Sequence, residues 1–203
     1  MSLLIATPMF AGQCLAEHFK SCLNLKDALH ENNIDHDWLV TTNESLIPRA
    51  RNTSAARFLQ TDFEYLLFID GDISFSPDDV ARLWNHEEKV VCGAYRMKYP
   101  GSKLTVWKDG KQVEIGDDLI SVDYAGTGFM MIHRSVFETL IKSYDIEYEE
   151  GKVGKCWAFF QDPITDFHLS EDYFFCQRWR ELGGEIICDP NIELTHWGLA
   201  GYG

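Results

Sequence analysis

The chain has 203 residues, of which 45% are hydrophobic and 25% are charged, and this composition is that of an ordinary globular protein. Its formal net charge of −14 argues against binding to a nucleic-acid backbone, which needs clustered Lys and Arg. The sequence contains no run of about 18 apolar residues, so we expect no integral membrane segment.

The first half of the chain alternates between apolar strands and amphipathic helices. Strands are predicted over residues 3–8, 37–42 and 65–69. Helices are predicted over residues 14–29, where apolar side chains form a stripe, and from Pro48, because proline is favoured in the first turn of a helix. The strand over residues 65–69 is apolar throughout, as is typical of a strand covered on both faces.

The second half continues this alternation. Its predicted elements are helices over residues 75–86, 134–144 and 170–184, and strands over residues 89–95, 126–132 and 185–190. Ser76 and Ser170 suit the N-caps of two of these helices, and Gly183 suits a helix end. The segment over residues 98–124, rich in Gly, Lys and Asp, is predicted to be an irregular insertion.

This order of elements predicts an α/β fold in a single domain over residues 1–203, with a mainly parallel central sheet flanked by helices. Ligands of such sheets lie beyond the carboxyl ends of the strands. The six cysteines form no Cys-x-x-Cys pair and the N-terminus lacks a secretory signal, so we expect reduced thiols in a cytoplasmic protein. The chain could equally be one domain of a longer polypeptide, and its oligomeric state is open.

The central strand ends in Asp70, Gly71 and Asp72, and this turn has three interpretations. Asp-Gly is typical of a hairpin, but only three residues separate Asp72 from the next helix cap, which disfavours one. A calcium loop of the EF-hand type is excluded, because Phe75 and Ala81 would stand where glycine and glutamate are required. Two carboxylates at a strand end favour instead a Mg²⁺ or Mn²⁺ site that substrate phosphate oxygens complete.

Two further motifs lie near the end of the chain. Glu171 and Asp172 open the last helix, where they either stabilise the positive end of the helix dipole or act on a substrate. His196 follows the last strand, and a lone histidine is more often structural than a metal ligand. These motifs become informative only in combination with the Asp-Gly-Asp turn.

In this order, the motifs resemble those of the glycosyltransferases of GT-A fold, which use nucleotide sugars and are built on one Rossmann-like α/β domain. The matching stretches are IATP, RARNTSAARFL, LLFIDGDISF, YAGTGFMMIHRSVF, SEDYFFCQRWRELG and THWG. The resemblance spans nearly the whole chain. It implies transfer of a sugar from a nucleotide-diphosphate donor to a hydroxyl acceptor such as a glycan, with UDP favoured over GDP by family frequency.

The resemblance also implies which residues bind the nucleotide. Thr7 and Pro8 would line the pocket for the base, and Arg51 would lie near the nucleotide. Asp70 would face the ribose or the water shell of a metal ion.

A metal ion, Mn²⁺ or Mg²⁺, is implied as the cofactor. Asp72 would bind it directly, Asp70 would be close to it, and His196 would be a further ligand, which favours Mn²⁺ because imidazole suits it better than Mg²⁺. Negative charge builds up on the leaving nucleoside diphosphate, so the metal would act there as a Lewis acid.

The remaining implied roles concern the sugar and the acceptor. Gly126, Thr127 and Gly128 would border the donor sugar and the acceptor. Asp172, with Glu171 as the second choice, would be the general base that takes the proton of the acceptor hydroxyl. A carboxylate base is what single-displacement chemistry requires, so inversion of the anomeric configuration is favoured.

Two other functions stay as alternatives. An aspartate-nucleophile phosphatase also uses a strand-end Asp-x-Asp, but carries it on its first strand. A non-catalytic module that binds sugar or nucleotide through a metal needs Asp70 and Asp72 but no general base, so Asp172 distinguishes it from an enzyme.

Four aromatic residues could contact sugar rings, although packing in the core or in loops is the better interpretation: Trp157, Phe159, Phe160 and Trp197.

Overall fold

The structure is a computed structural model that describes residues 2–99, 101–113, 116, 118–151, 153–164, 168–198 and 200–202. Its helices are α1 (Ala16–Glu31), α2 (Ile47–Leu59), α3 (Pro77–Asn85), α4 (Arg134–Ser143) and α5 (Glu171–Glu181). Its strands are β1 (Ser2–Met9), β2 (Asp35–Thr42), β3 (Tyr65–Ile69), β4 (Ile73–Ser74), β5 (Val90–Gly93), β6 (Val106–Lys108), β7 (Lys111–Gln112), β8 (Ile120–Ser121), β9 (Tyr124–Ala125), β10 (Phe129–His133), β11 (Glu147–Glu150), β12 (Gly154–Trp157), β13 (Ile187–Asp189), β14 (Thr195–Trp197) and β15 (Gly201–Tyr202). All the predicted helices and strands are present.

The central sheet has the strand order β2-β1-β3-β10-β5-β13-β8. β2, β1, β3, β5 and β13 run in one direction, which confirms the predicted α/β fold with a mainly parallel sheet. β10 lies antiparallel between β3 and β5, and β8 is antiparallel beside β13. Because β10 runs in the opposite direction, the residues that precede it lie beside the carboxyl ends of β3 and β5.

The central strands are buried on both faces, as their apolar sequence predicts. Leu66 and Phe68 of β3 pack on the side of α2, α4 and α5, whereas Leu67 and Ile69 pack on the side of α1 and α3. Because successive side chains of a strand point to opposite faces, an unbroken apolar strand needs helices on both sides. β3 ends at Ile69, and beyond this residue the chain leaves the core.

The segment over residues 98–124 is more regular than predicted. β6, β7 and β9 form a small antiparallel sheet, and β8 joins the central sheet. Val106 and Ala125 lie opposite each other across β6 and β9 and are buried in the core. The prediction of an irregular insertion was wrong because strands of two or three residues are too short to show an alternating pattern.

The helix ends follow local sequence signals. Ser76 caps α3 in a capping box, where its hydroxyl accepts the N–H of Asp79 at 3.3 Å and the Asp79 carboxylate accepts the N–H of Ser76 at 2.7 Å. Gly183 follows α5 with φ +78°, a conformation that favours glycine. In the described part of the chain, no helix is long and apolar enough to cross a membrane.

Candidate active site

The Asp70-Gly71-Asp72 turn lies at the carboxyl end of β3, a strand in the middle of the central sheet. The N–H of Asp70 donates to the carbonyl of Gly128 at 2.9 Å, which ties the turn to the residues before β10. β4 follows the turn and pairs with β14 instead of returning along β3, so the turn does not form a simple hairpin. The N–H of Trp197 donates to the carbonyl of Asp72 at 2.8 Å and holds the turn from the side of β14.

Helix α1 holds the chain just beyond the turn. His18 Nδ1 donates to the carbonyl of Ile73 at 3.0 Å, and the N–H of Phe75 donates to Ser21 Oγ at 3.0 Å. Burial lowers the pKa of His18, so the neutral ring carries its proton on Nδ1, where the carbonyl accepts it. Sequence reasoning missed both side chains, because polar residues on the buried face of a helix leave no periodic signal.

Asp72 lies between two basic side chains. Lys98 Nζ contacts its Oδ2 directly, and His196 Nε2 lies 3.6 Å from its Oδ1. Burial acts to raise the pKa of Asp72, but His196 and Lys98 lower it to about 2. Oδ1 is buried and has no hydrogen-bond partner among the described residues. Asp72 is therefore ionised at neutral pH and has one oxygen that a ligand could bind.

His196 is oriented as metal-binding histidines usually are. Its Nδ1 lies 2.8 Å from the backbone carbonyl of Arg96, and because a carbonyl only accepts, Nδ1 carries the proton. Nε2 is then the ring nitrogen that faces Asp72, 3.6 Å from Oδ1, and a bound cation would take the place of any proton on it. Asp72 Oδ1 and His196 Nε2 together offer one oxygen and one nitrogen donor, a set that suits Mn²⁺.

The donor set would hold a cation firmly only if a further ligand completes it. Within the ranges that the structure describes, no three His, Cys, Asp or Glu side chains cluster so that they could hold a metal ion. Mg²⁺ sites commonly use only one or two carboxylates together with substrate phosphates. Asp72 and His196 therefore fit a divalent cation that is bound together with a diphosphate.

Arg51 of α2 connects the turn to α5. Its side chain is only 4% exposed, and its guanidinium carbon lies 5.4 Å from the centre of the Phe68 ring. Nη2 lies 3.1 Å from the Asp70 carboxylate, and Nε lies 3.3 Å from Glu171 Oε1. Burial acts to lower the pKa of Arg51, but Asp70 and Glu171 raise it above its ordinary value. Nη1 is buried without a partner among the described residues, so Arg51 also retains one donor.

Asp172 lies in the first turn of α5, next to Glu171. Its Oδ1 accepts hydrogen bonds from the Ser170 hydroxyl and, at 2.8 Å, from the N–H of Tyr173. Ser170 occupies the predicted N-cap position, but its hydroxyl makes this contact and no capping bond. Burial and Glu171 raise the pKa of Asp172 to about 6, although Ser170 and Arg51 oppose them. Asp172 is thus ionised at pH 7 and accepts a proton more readily than an ordinary aspartate.

Gly126 and Gly128 make room for Tyr95, a residue that sequence reasoning did not single out. A Cβ atom would lie 2.3 Å from the Tyr95 hydroxyl at Gly126 and 2.7 Å from it at Gly128. The N–H of Gly128 donates to this hydroxyl at 3.0 Å, and the Tyr95 ring lies edge-on to His196 at 5.1 Å. Thr127, between the glycines, is fully buried, and its hydroxyl has no partner among the described residues.

A cleft of about 410 Å³ opens beside the turn, and its walls include Pro8, Asp70, Gly71, Asp72, Lys98 and Trp197. Thr7 is only 1% exposed and lies beneath the surface, so the structure does not bring it to the cleft with Pro8. Phe159 and Phe160 are fully buried in the core, as predicted. Trp197 reaches the cleft, and its indole N–H donates to Ser74 Oγ at 2.8 Å.

The structure brings together most of the residues that the sequence motifs singled out. Asp70, Arg51 and Glu171 share one network of ion pairs, with Asp172 beside it. Asp72 and His196 form a second group on the side of β14. Both groups lie at the end of the central sheet where the chain leaves β3 and enters β10.

No protein-family model matches the chain, and no curated protein matches it. Among solved structures, A197 from STIV matches at 20% identity and a TM-score of 0.63, over 98% of this chain and 86% of its own. The catalytic domain of Drosophila β1,4-galactosyltransferase 7, in complex with xylobiose, matches at 13% identity and a TM-score of 0.52, over 98% of this chain and 67% of its own.

A third similar structure is GalNAc-T7 with UDP, GalNAc and Mn²⁺. It matches at 12% identity and a TM-score of 0.51, over 96% of this chain but only 43% of its own length. At such identities the similarity concerns the fold and leaves donor, metal and acceptor open. The chain therefore shares the α/β fold of these solved structures.

Proposed function

We propose that this protein is a metal-dependent glycosyltransferase that moves a sugar from a nucleotide-diphosphate donor, a UDP-sugar, to a hydroxyl group of a glycan. The observation that carries the proposal is the buried Arg51, whose guanidinium bonds both Asp70 of the turn and Glu171 of α5. This network lies beside Asp172, so a diphosphate bound at the turn and a proton acceptor on α5 would lie at the same end of the central sheet. Drosophila β1,4-galactosyltransferase 7 and GalNAc-T7, which have similar folds, support it.

The donor would lie in the cleft beside the turn. Asp72 and His196 would hold Mn²⁺ or Mg²⁺, and Asp70, kept in place by Arg51, would face the ribose or the waters of the cation. When bound, the cation supplies positive charge that stabilises the leaving diphosphate. Pro8 would lie against the base, since it is part of the cleft wall.

The acceptor would lie on the side of Asp172. Its hydroxyl oxygen forms a bond to the anomeric carbon while the bond from that carbon to the diphosphate oxygen breaks, and the bonding electrons leave with the diphosphate. The hydroxyl proton passes to the Asp172 carboxylate, whose raised pKa suits a general base near neutral pH. A single displacement of this kind inverts the anomeric configuration.

Aromatic side chains beside Asp172 support a sugar as the acceptor. Trp107 of β6 lies opposite Tyr124 of β9, on the face of the small sheet away from their buried neighbours. The Tyr124 ring lies 5.3 Å from that of Tyr173, which follows Asp172 in the chain. All three rings are partly exposed. Aromatic faces combined with a few polar groups are a common lining of small-molecule sites.

A thermal-shift screen of UDP, GDP, ADP and TDP, each with and without Mn²⁺, tests the donor half of the proposal. At 100 times its dissociation constant, a ligand stabilises the folded state by about 2.7 kcal/mol, or about 5–10 °C for a chain of this size. We expect such a shift for UDP with Mn²⁺, and none for Asp72→Asn. Asp62→Asn, at an exposed position before β3, is the matched control and should behave as the wild type.

Two results would contradict this part of the proposal. One is the absence of a shift with every nucleoside diphosphate in the presence of Mn²⁺. The other is an equal Mn²⁺-dependent shift in the wild type and in Asp72→Asn. A non-catalytic binding module would show the donor shift but would not need Asp172, whose raised pKa favours the enzyme.

A further inference from the structure

Lys98 neutralises the same carboxylate, that of Asp72, that a bound cation would use. Its ammonium group contacts Asp72 Oδ2, and the two side chains are 36% and 35% exposed. Its aliphatic stem runs along Gly198, where a Cβ atom would lie 3.3 Å from Lys98 Cδ. The backbone around Lys98 is held by the N–H of Met97, which donates to the carbonyl of Lys103 at 3.3 Å. The ammonium group of Lys98 can therefore move while the backbone of this residue stays in place.

The same short segment also orients the second donor of the metal site. The carbonyl of Arg96, two residues before Lys98, accepts the Nδ1 proton of His196. Residues 96–98 thus set the direction of His196 Nε2 and supply a positive charge to Asp72. The segment that carries Lys98 therefore contacts both side chains that fit a divalent cation, Asp72 and His196.

An ammonium group and a divalent cation cannot both bind closely to one carboxylate without strong mutual repulsion. Lysine carries a compact charge on a flexible stem, so it can leave Asp72 with little change to the backbone. Once it leaves, its charge is best satisfied by another anion nearby. In the cleft that holds Asp72, the anion that would arrive with the cation under the proposed function is the diphosphate of the donor.

We infer that Lys98 is a positioning residue that exchanges between Asp72 and the donor diphosphate, and that it thereby couples metal binding to nucleotide binding. Without nucleotide, Lys98 neutralises Asp72 and weakens the binding of a divalent cation. With nucleotide, the ammonium moves to the diphosphate oxygens and leaves the Asp72 carboxylate to the metal. The second half of this inference rests on the proposed function, whereas the first half does not.

Calorimetric titration with Mn²⁺ alone tests the first half. In Lys98→Met, which keeps the apolar stem on Gly198 and removes the charge, we expect Mn²⁺ to bind about two- to fivefold tighter, because no partly exposed ion pair has to break. Lys98→Arg keeps the positive charge and should bind Mn²⁺ as weakly as the wild type. Lys142→Met, at an exposed position in α4, is the matched control and should not change Mn²⁺ binding.

Repeating the titrations with UDP present tests the coupling. In the wild type, UDP should strengthen Mn²⁺ binding and Mn²⁺ should strengthen UDP binding by the same factor, and this factor should shrink in Lys98→Met. Unchanged or weaker Mn²⁺ binding in Lys98→Met, or equal behaviour of the Arg and Met variants, overturns the inference. If UDP binds to no variant while Lys98→Met still binds Mn²⁺ tighter, the proposed function fails and the competition at Asp72 stands.

Discussion

Replacement of Arg51 by methionine removes the positive charge that lies between Asp70 and Glu171. The guanidinium is 4% exposed, and the two carboxylate side chains are 27% and 15% exposed. Removing one partner of a buried ion pair costs about 3–5 kcal/mol, because the other charge is left uncompensated. Both carboxylates retain some contact with water, so we expect a loss of about 3 kcal/mol in the free energy of unfolding. For a chain of this size, this loss corresponds to a fall of about 6–12 °C in melting temperature.

Arg49 provides a matched control in the same helix. It also forms an ion pair, with Glu44 at 2.6 Å, but its side chain is 43% exposed. Since exposed ion pairs contribute little, Arg49→Met should leave the free energy of unfolding almost unchanged. The comparison isolates burial, because residue type, helix and substitution are the same.

Urea unfolding of the wild type, Arg51→Met and Arg49→Met at pH 7.5 and pH 5.5 measures the effect. The deficit of Arg51→Met should shrink at the lower pH, since carboxylates that have lost their partner can take up protons. Equal losses in the two variants would refute the central place given to Arg51. A deficit independent of pH would show that lost packing, and not uncompensated charge, is the cause.

Three further predictions concern other parts of the site. Below about pH 6, kcat/KM should fall about tenfold per pH unit, because the raised pKa of Asp172 makes its ionised form disappear there; a pH–rate profile flat to pH 5 would contradict this. Gly126→Ala should cost about 1–3 kcal/mol in urea unfolding, because the new Cβ meets the Tyr95 hydroxyl, and adding Tyr95→Phe should recover part of the loss and not add to it. EDTA should abolish UDP binding in calorimetry yet leave the urea midpoint unchanged, since the metal is expected to bind only weakly without the nucleotide.

The fold was largely predictable from local patterns. The apolar run of β3 required helices on both faces, and the structure has them. Ser76 and Asp79 form the capping box that begins α3, and Gly183 ends α5. These signals depend on residues that are close in the sequence, so a single chain is enough to read them.

The direction of β10 and the contacts around the turn were not predictable in this way. Periodicity predicts a strand but not whether it runs parallel or antiparallel to its neighbours. Tyr95 is the last residue of the strand predicted over residues 89–95, and its contact with Gly126 and Gly128 depends on strand order. Lys98 and His18 reach the turn from a loop and from a helix, so only tertiary packing reveals them.

The measurement that tests the account most directly is the release of UDP from a UDP-sugar with Mn²⁺ and glycan acceptors, by the wild type and by Asp172→Asn. We expect release by the wild type and a rate lower by about 10²–10⁴-fold in the variant, with unchanged donor affinity. The pKa of Asp172 is higher in the folded state than in the unfolded state, so its ionisation lowers the free energy of unfolding as the pH rises through 6. Asp172→Asn should therefore be no less stable than the wild type at pH 8, and a lower rate would not reflect unfolding. Equal rates in the two proteins would contradict the account.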